Sequence, residues 1–564
     1  MSVNETPPSR DTGERRTIEI RPGELAGAVD LAEAALLAAD AGIFQRGGQL
    51  VRVIPSDPPP RGSRSTITRA VGTPIITPVT RDFLLLALSR HVTFKRYDGR
   101  MEEWRQVDPP STLAALLLAA GEWRFPSLRG VVCAPTLRCD GSLLSAPGYD
   151  PDSGLLFWDD GTVWPEINPK PSAAEAAEAL ALLRDLLNEF DFRDGRNSPH
   201  ESVALAAILT AAERTALPIA PGFGVDAHKM GSGKTELVHT VSRIVTGRDA
   251  SVMPLADNDE EVRKALLALL IAGDPIALID NIEQPVSSAA LNAALTSEFY
   301  KDRILGESRN AVLPTRVTLI ATGNNLQFCG DLTSRIMVSG LDPQCEQPGS
   351  REFSRDLKVY ALAHRAELLA AALTITLAYL AAGAPGRWSP SRFRAWDQLV
   401  RRPLLWLGCP DPLSTQDEMR VVDPVRTSLL EVIQAWSDVF MDRPATVAEA
   451  IEAASGPNQF ASLAAAIEQA AGRDRGGAIN ARSLGRWLAR FSGRIEGGRR
   501  IERVGEDPAT CRPRYRVVSV SRVFSVSHTV RAENGSDNHM GCAAGNAENA
   551  GNAAGGIGAE EIAL

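Results

Sequence analysis

The chain has 564 residues, of which 44% are hydrophobic and 23% charged, and its net charge is −9. That length admits about three to four domains, the composition is ordinary for a soluble globular protein, and the acidic balance excludes a whole-surface attraction to nucleic acid, so any such contact must come from local patches. The seven cysteines show no C-x-x-C and no paired-knuckle spacing, which argues against a disulfide framework or a zinc site and makes a reducing cytoplasm the default location.

Residues 1–16 are polar and proline-bearing without an apolar core, so they are no signal peptide and are expected to be disordered. Thr17-Ile18-Glu19-Ile20 predicts a short alternating strand, 24–41 an alanine-rich helix, and Gly47-Gly48 a turn that introduces another strand. Short strands, helices and turns alternate from there, giving an N-terminal α/β domain over 17–170. Asn168-Pro169-Lys170-Pro171 then punctuates the chain, and Ser172-Ala173-Ala174-Glu175 is a capping box that opens a pair of helices over 171–217, read as a linker or collar.

The stretch from Pro218 to Val245 reads as strand, glycine loop and helix. Within it, Gly231-Ser232-Gly233-Lys234-Thr235 places consecutive backbone N–H groups and the positive end of a helix dipole at one point, which suits a phosphate. Lys234 would reach the β- and γ-phosphates and Thr235 would help to hold Mg²⁺. The longer G-x-x-x-x-G-K-[ST] pattern is met in its second half only, because His228 takes the first glycine position. Ile276-Ala277-Leu278-Ile279-Asp280 is a short apolar run ending in a carboxylate, as expected of a buried parallel strand that delivers a metal-organising acid. A second such strand, 316–322, ends in Gly323-Asn324-Asn325, where an amide could orient water. Residues 330–335 predict a short helix ending in Arg335 before another strand. Between the acid and asparagine strands, 300–313 reads as a hairpin carrying Lys301, Arg303 and Arg309.

These pieces define a core over 218–350. Residues 351–442 are alanine- and leucine-rich with helical periodicity, giving a helical lid and extension; within them 368–385 approaches membrane-span length, but its Thr, Gly and Pro content predicts a buried helix. Residues 443–520 predict helices followed by a hairpin, a winged-helix-like unit. There the charge reverses: Arg482, Arg486 and Arg490 recur on one helix face, and seven more arginines follow from 494 to 516, a phosphate-backbone candidate. The tail, 521–564, is Gly-, Asn- and Ala-rich and expected to be disordered.

Phosphate loop, acid, asparagine and arginine come in the order of an AAA+ module. Together with Phe44-Gln45-Arg46-Gly47-Gly48, Gly148-Tyr149-Asp150, Asp280-Asn281, Asp302-Arg303-Ile304-Leu305-Gly306, Gly330-Asp331-Leu332 and Leu405-Trp406-Leu407-Gly408, they make residues 17–440 resemble the primase–helicase-like ATPases of bacteriophages and mobile elements. The resemblance implies an α/β fold with a P-loop AAA+ or superfamily-3-like core that binds ATP and Mg²⁺, works as a homo-oligomeric, hexameric ring on single-stranded DNA in phage or element replication, and has no membrane partner. Asp280 would organise the metal, Glu283 would be the base, Asn324 or Asn325 would orient water, and Arg335 would act as a finger in the neighbouring site. The hairpin of Lys301, Arg303 and Arg309 would grip DNA. Two departures from the pattern stand out: His228 in the loop, and Asn281 where many such ATPases carry the catalytic glutamate. If Glu283 does not stand in, the chain is an ATP-binding replication adaptor or switch with little hydrolysis. A combined primase–helicase would need a priming centre within 17–170, where no carboxylate cluster stands out.

Overall fold

The computed structural model describes residues 15–58, 67–256, 258–304, 310–350, 354–455 and 460–520. The stretches read as disordered, 1–16 and 521–564, thus lie outside the described residues, except for Arg15 and Arg16; Arg16 already opens the first strand, Arg16–Ile20. So do Arg309 and the hairpin tip around it.

The N-terminal part is built of short strands in small sheets with helices packed on them. Arg16–Ile20 pairs in parallel with Val92–Asp98, and Phe44–Arg46, Gln49–Pro55 and Pro74–Pro78 form an antiparallel meander. After it comes α1 (Ala173–Leu187), whose Ser172 and Glu175 make the expected capping box. Helix α2 (Pro199–Glu213) is buried on every side from His200 onward, which marks a core helix rather than an amphipathic surface one.

Five parallel strands carry the next part: β1 (Gly222–Ala227), β2 (Ser251–Val252), β3 (Ile276–Ile282), β6 (Thr318–Asn324) and β7 (Ile336–Leu341), in the spatial order β2-β3-β6-β1-β7. Their connections supply helices α3 (Lys234–Thr246), α4 (Asp259–Ala272) and α5 (Ala289–Thr296), and the hairpin β4 (Phe299–Arg303) and β5 (Asn310–Pro314). All residues of β1 and β7 are buried, as continuous apolar strands of a sheet covered on both faces must be. Two glycines permit the close packing at its centre. A Cβ at Gly224 would fall 2.9 Å from a Leu326 methyl, and one at Gly323 would fall 2.6 Å from the Ile282 carbonyl oxygen.

The helical stretch after the core differs in detail from its sequence pattern. Its alanine- and leucine-rich pattern shows no break, yet Leu357–Ala363 and α6 (Arg365–Ala381) meet at His364 with a 71° bend. The turn is fixed by Arg365, whose buried guanidinium donates to Asp160, Thr162 and the Cys133, Ile244 and Val245 carbonyls. Most of α6 is buried, and among the described residues no single helix is long and apolar enough to cross a membrane.

Helix α7 (Pro424–Phe440), grouped by the sequence with the helical extension, packs instead into the C-terminal core: Leu429, Val432, Ile433, Trp436 and Phe440 meet Leu463, Leu484, Leu488 and Tyr515. The apolar stripe of α7 needs that partner, so the boundary falls near 424 rather than 443. With α8 (Val447–Ser455), α9 (Ala461–Ala471), α10 (Ala481–Phe491), β8 (Arg499–Glu506) and β9 (Pro513–Ser519) this is a helical unit with an antiparallel wing. Gly497 and Gly498, both at positive φ (56° and 73°), make the tight turn into the wing.

Glu213, at the end of α2, is fully buried and its carboxyl oxygens accept no hydrogen bond among the described residues. The Thr376 hydroxyl, which would favour the charged form, donates to the Leu399 carbonyl at 2.8 Å. Burial therefore holds the Glu213 carboxyl well above its ordinary value of 4.5. A carboxyl raised in the folded state takes up a proton on folding, so this group costs stability as pH rises above 4.5. Glu213→Gln is expected to raise Tm at pH 8 by about 2 °C or more, the scale of a 1 kcal/mol change, with the gain shrinking toward pH 5. Equal Tm for the two proteins at both pH values would show that Glu213 has a partner or is charged.

Candidate active site

Inserting β6 between β1 and β3 is what assembles the site. Ala227 at the end of β1 lies opposite Asn324 at the end of β6, and Ile279 of β3 lies opposite Ala321. The glycine loop, Asn324 and Asp280 thus emerge side by side from the carboxyl edge of the sheet. The outer two are two strand spacings apart, about 10 Å, in the crevice where open α/β sheets bind ligands.

The loop is held by its glycines. Gly231 (φ 75°) and Gly233 (φ 88°) are left-handed, and Gly233 caps α3, whose free N–H groups face the crevice. A Cβ at Gly231 would collide with the Gly349 backbone at 2.9 Å. Ser232 is mostly buried and turns its hydroxyl inward, donating to the Lys229 carbonyl at 2.8 Å. The ammonium of Lys234 donates to Asn324 Oδ1 at 2.7 Å and to the Lys229 carbonyl at 3.2 Å. Partial burial pulls its pKa down, while Asp226 and Asp280 push it back up. Thr235 donates to Asp280 Oδ1 at 3.1 Å, and Thr322 of β6 donates to the same oxygen at 2.6 Å.

Directly after Asp280 the pairing of β3 with β6 slips, and Asn281 takes a left-handed φ of 55°. A bulge of this kind re-aims side chains next to a site. The Asn281 amide nitrogen donates to exposed Glu283 at 3.1 Å, and its backbone N–H donates to Thr322. Asn325, also left-handed (φ 54°), accepts from His228 Nδ1 at 2.9 Å. His228 thus occupies the first-glycine position by bonding outward to the asparagine strand rather than by folding into the loop.

Arg335 lies elsewhere. It follows a short 3₁₀ turn (Gly330–Ser334) at the amino-terminal edge of β7, the opposite edge of the sheet from Lys234, and its guanidinium is bound to Asn292 Oδ1 at 2.5 Å and Asp331 at 3.1 Å. Within one chain it does not join the cluster. In the hairpin, Tyr300, Ala311 and Leu313 are buried, while Lys301, Arg303, Phe299 and Val312 face outward and Asp302 is tied to Arg263 of α4 at 3.1 Å.

The structure separates the C-terminal arginines into two groups. Arg494, Arg500, Arg503 and Arg516 are ion-paired with Glu496, Glu502 or Glu506 of the wing. Arg482, Arg486 and Arg490 stand exposed on α10, opposite buried Leu484 and Leu488, and no carboxylate pairs with them among the described residues. Sequence reading gave Thr322, Asp226 and Arg193 no role. Asp226 accepts from the Leu326 N–H at 2.7 Å and from Arg193 at 3.2 Å, fixing the chain after Asn325. Its only signal in the sequence is an acid inside an otherwise apolar strand.

The donor set suits Mg²⁺: a hydroxyl and one carboxylate, both hard oxygens, leave most of a hexacoordinate shell to water and phosphate. Thr235 and Asp280, already joined, would hold the ion there.

No protein-family model matches this chain, and neither does any curated protein. Among solved structures it is similar to two described as apo A forms of the NrS-1 C-terminal region, at 12% and 14% identity, covering 86% and 87% of this chain and 98% of each of those, with TM-scores of 0.33 and 0.32. It is also similar to a JCV helicase bound to a thiazolopyridine-bearing acetamide, at 14% identity over 44% of this chain and 73% of that one, with a TM-score of 0.18. TM-scores this low carry no functional argument.

Proposed function

We propose that the chain is an ATP hydrolase that acts on DNA as a replication helicase or translocase, with an AAA+-type core. The observation that carries this is the single cluster at the sheet's carboxyl edge, in which Lys234 reaches Asn324 and Thr235 reaches Asp280 below a loop of left-handed glycines. Bound Mg²⁺ would neutralise charge on the β- and γ-phosphates. The protein's own part is positioning: Gly231, Gly233 and the α3 N-terminus bind the phosphates through N–H groups, and Lys234, held by the Lys229 carbonyl, reaches the γ-phosphate. When a triphosphate takes the place of Asn324 on Lys234, the amide is released toward the space in which water would attack. Glu283 is the base in this reading, Asn281 orienting it from the bulge. Arg335, held by Asn292 and Asp331 at the far edge of the sheet, would serve the site of a neighbouring subunit in a ring. The outward cations of the hairpin and of α10 would bind the DNA backbone.

The exposed position of Glu283 and its bond to Asn281 also favour a second reading, a slow nucleotide-gated switch. Glu283→Gln separates the two. As the base, Glu283 contributes on the order of 100-fold or more to turnover, so the variant should bind ATP normally and hydrolyse it at least that much more slowly. Turnover equal to the parent would place the base elsewhere.

A further inference from the structure

On the amino-terminal side of the sheet, away from the phosphate loop, a cavity of about 40 Å³ lies where the N-terminal part meets the core; it is lined by Arg46, Arg129, Arg214 and Arg316, with Pro275 and Val317 at the start of β3 and β6. One ordered water needs roughly 10–15 Å³ of such space, so the cavity holds roughly three waters or one tetrahedral oxyanion.

The charges around it do not balance. Arg214 is buried and gives its N–H groups to three backbone carbonyls, of Leu217, Thr315 and Val317, and no carboxylate pairs with it among the described residues. Arg46, also buried, donates to the carbonyls of Leu128, Arg129 and Leu270, and so ties the first glycine turn to α4. Burial pushes Arg46 down to about 10 and Arg214 to about 9, the latter helped by Arg316. The one carboxylate in the lining, Asp274, is already taken by Arg69 (2.7 Å) and Ser251 (2.5 Å), and Glu298 occupies a single nitrogen of Arg316. Arg46 Nε and Arg316 Nη1 are buried with no hydrogen-bond acceptor among the described residues. Buried cations without a counter-charge, as Arg46 and Arg214 are among the described residues, and buried N–H groups left over, as on Arg46 and Arg316, are costly unless an anion completes them.

We infer that this cavity is an anion site, in which Arg46, Arg129, Arg214 and Arg316 take up a phosphate-class oxyanion that ties the N-terminal part to the core. Tetrahedral oxygens suit donors carried by different elements around one cavity, and charge-assisted bonds to guanidinium are the strong ones. Inorganic phosphate and the phosphate of a small monoester share this chemistry.

The test uses the full chain carrying Lys234→Ala, which weakens the competing phosphate loop. Inorganic phosphate is titrated against sodium chloride at matched ionic strength, with Tm and calorimetry as readouts, and adenosine monophosphate forms a second arm. Saturable stabilisation by phosphate is expected, with affinity falling roughly tenfold on adding either Arg316→Gln or Arg129→Ala, the effect of removing about one charge-assisted hydrogen bond. Arg129 is exposed, so its replacement leaves the fold intact and decides the matter even where Arg316→Gln does not fold. Competition by the monophosphate through the same arginines would identify a monoester as the ligand, and its absence free phosphate. Stabilisation that merely follows ionic strength, or binding that neither arginine variant weakens, would overturn the site.

Discussion

Lys234→Ala is expected to lower ATP turnover by at least about 100-fold while leaving Tm close to the parent value. Removing a positioned cation from a transferring phosphoryl group costs several kcal/mol of transition-state stabilisation. The same side chain contributes little to the fold: it is only partly buried, and its two acceptors, Asn324 Oδ1 and the Lys229 carbonyl, sit at the open edge of the sheet where water can replace it. A variant that hydrolyses ATP at the parental rate would remove the phosphate-loop assignment, and with it the roles given to Thr235 and Asp280.

The second large effect concerns DNA. Replacing Arg482, Arg486 and Arg490 together with glutamine should lower affinity for single-stranded DNA and flatten the slope of log K against log salt by about 2, at roughly 0.7 for each phosphate left without its arginine. Replacing Arg500, Arg503 and Arg516 should change that slope less, because Glu502 and Glu506 already offset two of their three charges. Fluorescence anisotropy over a salt series measures both. Identical slopes for the two triple variants would mean that the unpaired face of α10 is only solvated.

That contrast also shows what the sequence could and could not disclose. Lys234, Thr235, Asp280 and Asn324 were legible because each belongs to a local pattern: a glycine loop opening a helix, or a short apolar run ending in a polar residue at a strand edge. Their convergence was not. It depends on β6 inserting between β1 and β3, a choice made by packing across nearly a hundred residues of chain. Thr322 was invisible for the same reason, since its bond to Asp280 crosses from one strand to the next. The wing arginines looked like one basic run with the α10 arginines until the register of β8 and β9 set Glu502 opposite Arg516. The bulge at Asp280 and Asn281 has no sequence marker beyond an asparagine able to adopt positive φ. Helix α7 lies in the stretch read as helical but packs with the C-terminal residues, because an apolar stripe announces that it needs a partner without naming one.

The most direct test of the proposed function is steady-state ATP hydrolysis by the full chain with Mg²⁺, measured with and without single-stranded DNA. Hydrolysis that requires Mg²⁺ and rises several-fold when DNA is added is the expected result. No hydrolysis above background in either condition, with ATP shown to bind, would contradict it and leave the nucleotide-gated switch in its place.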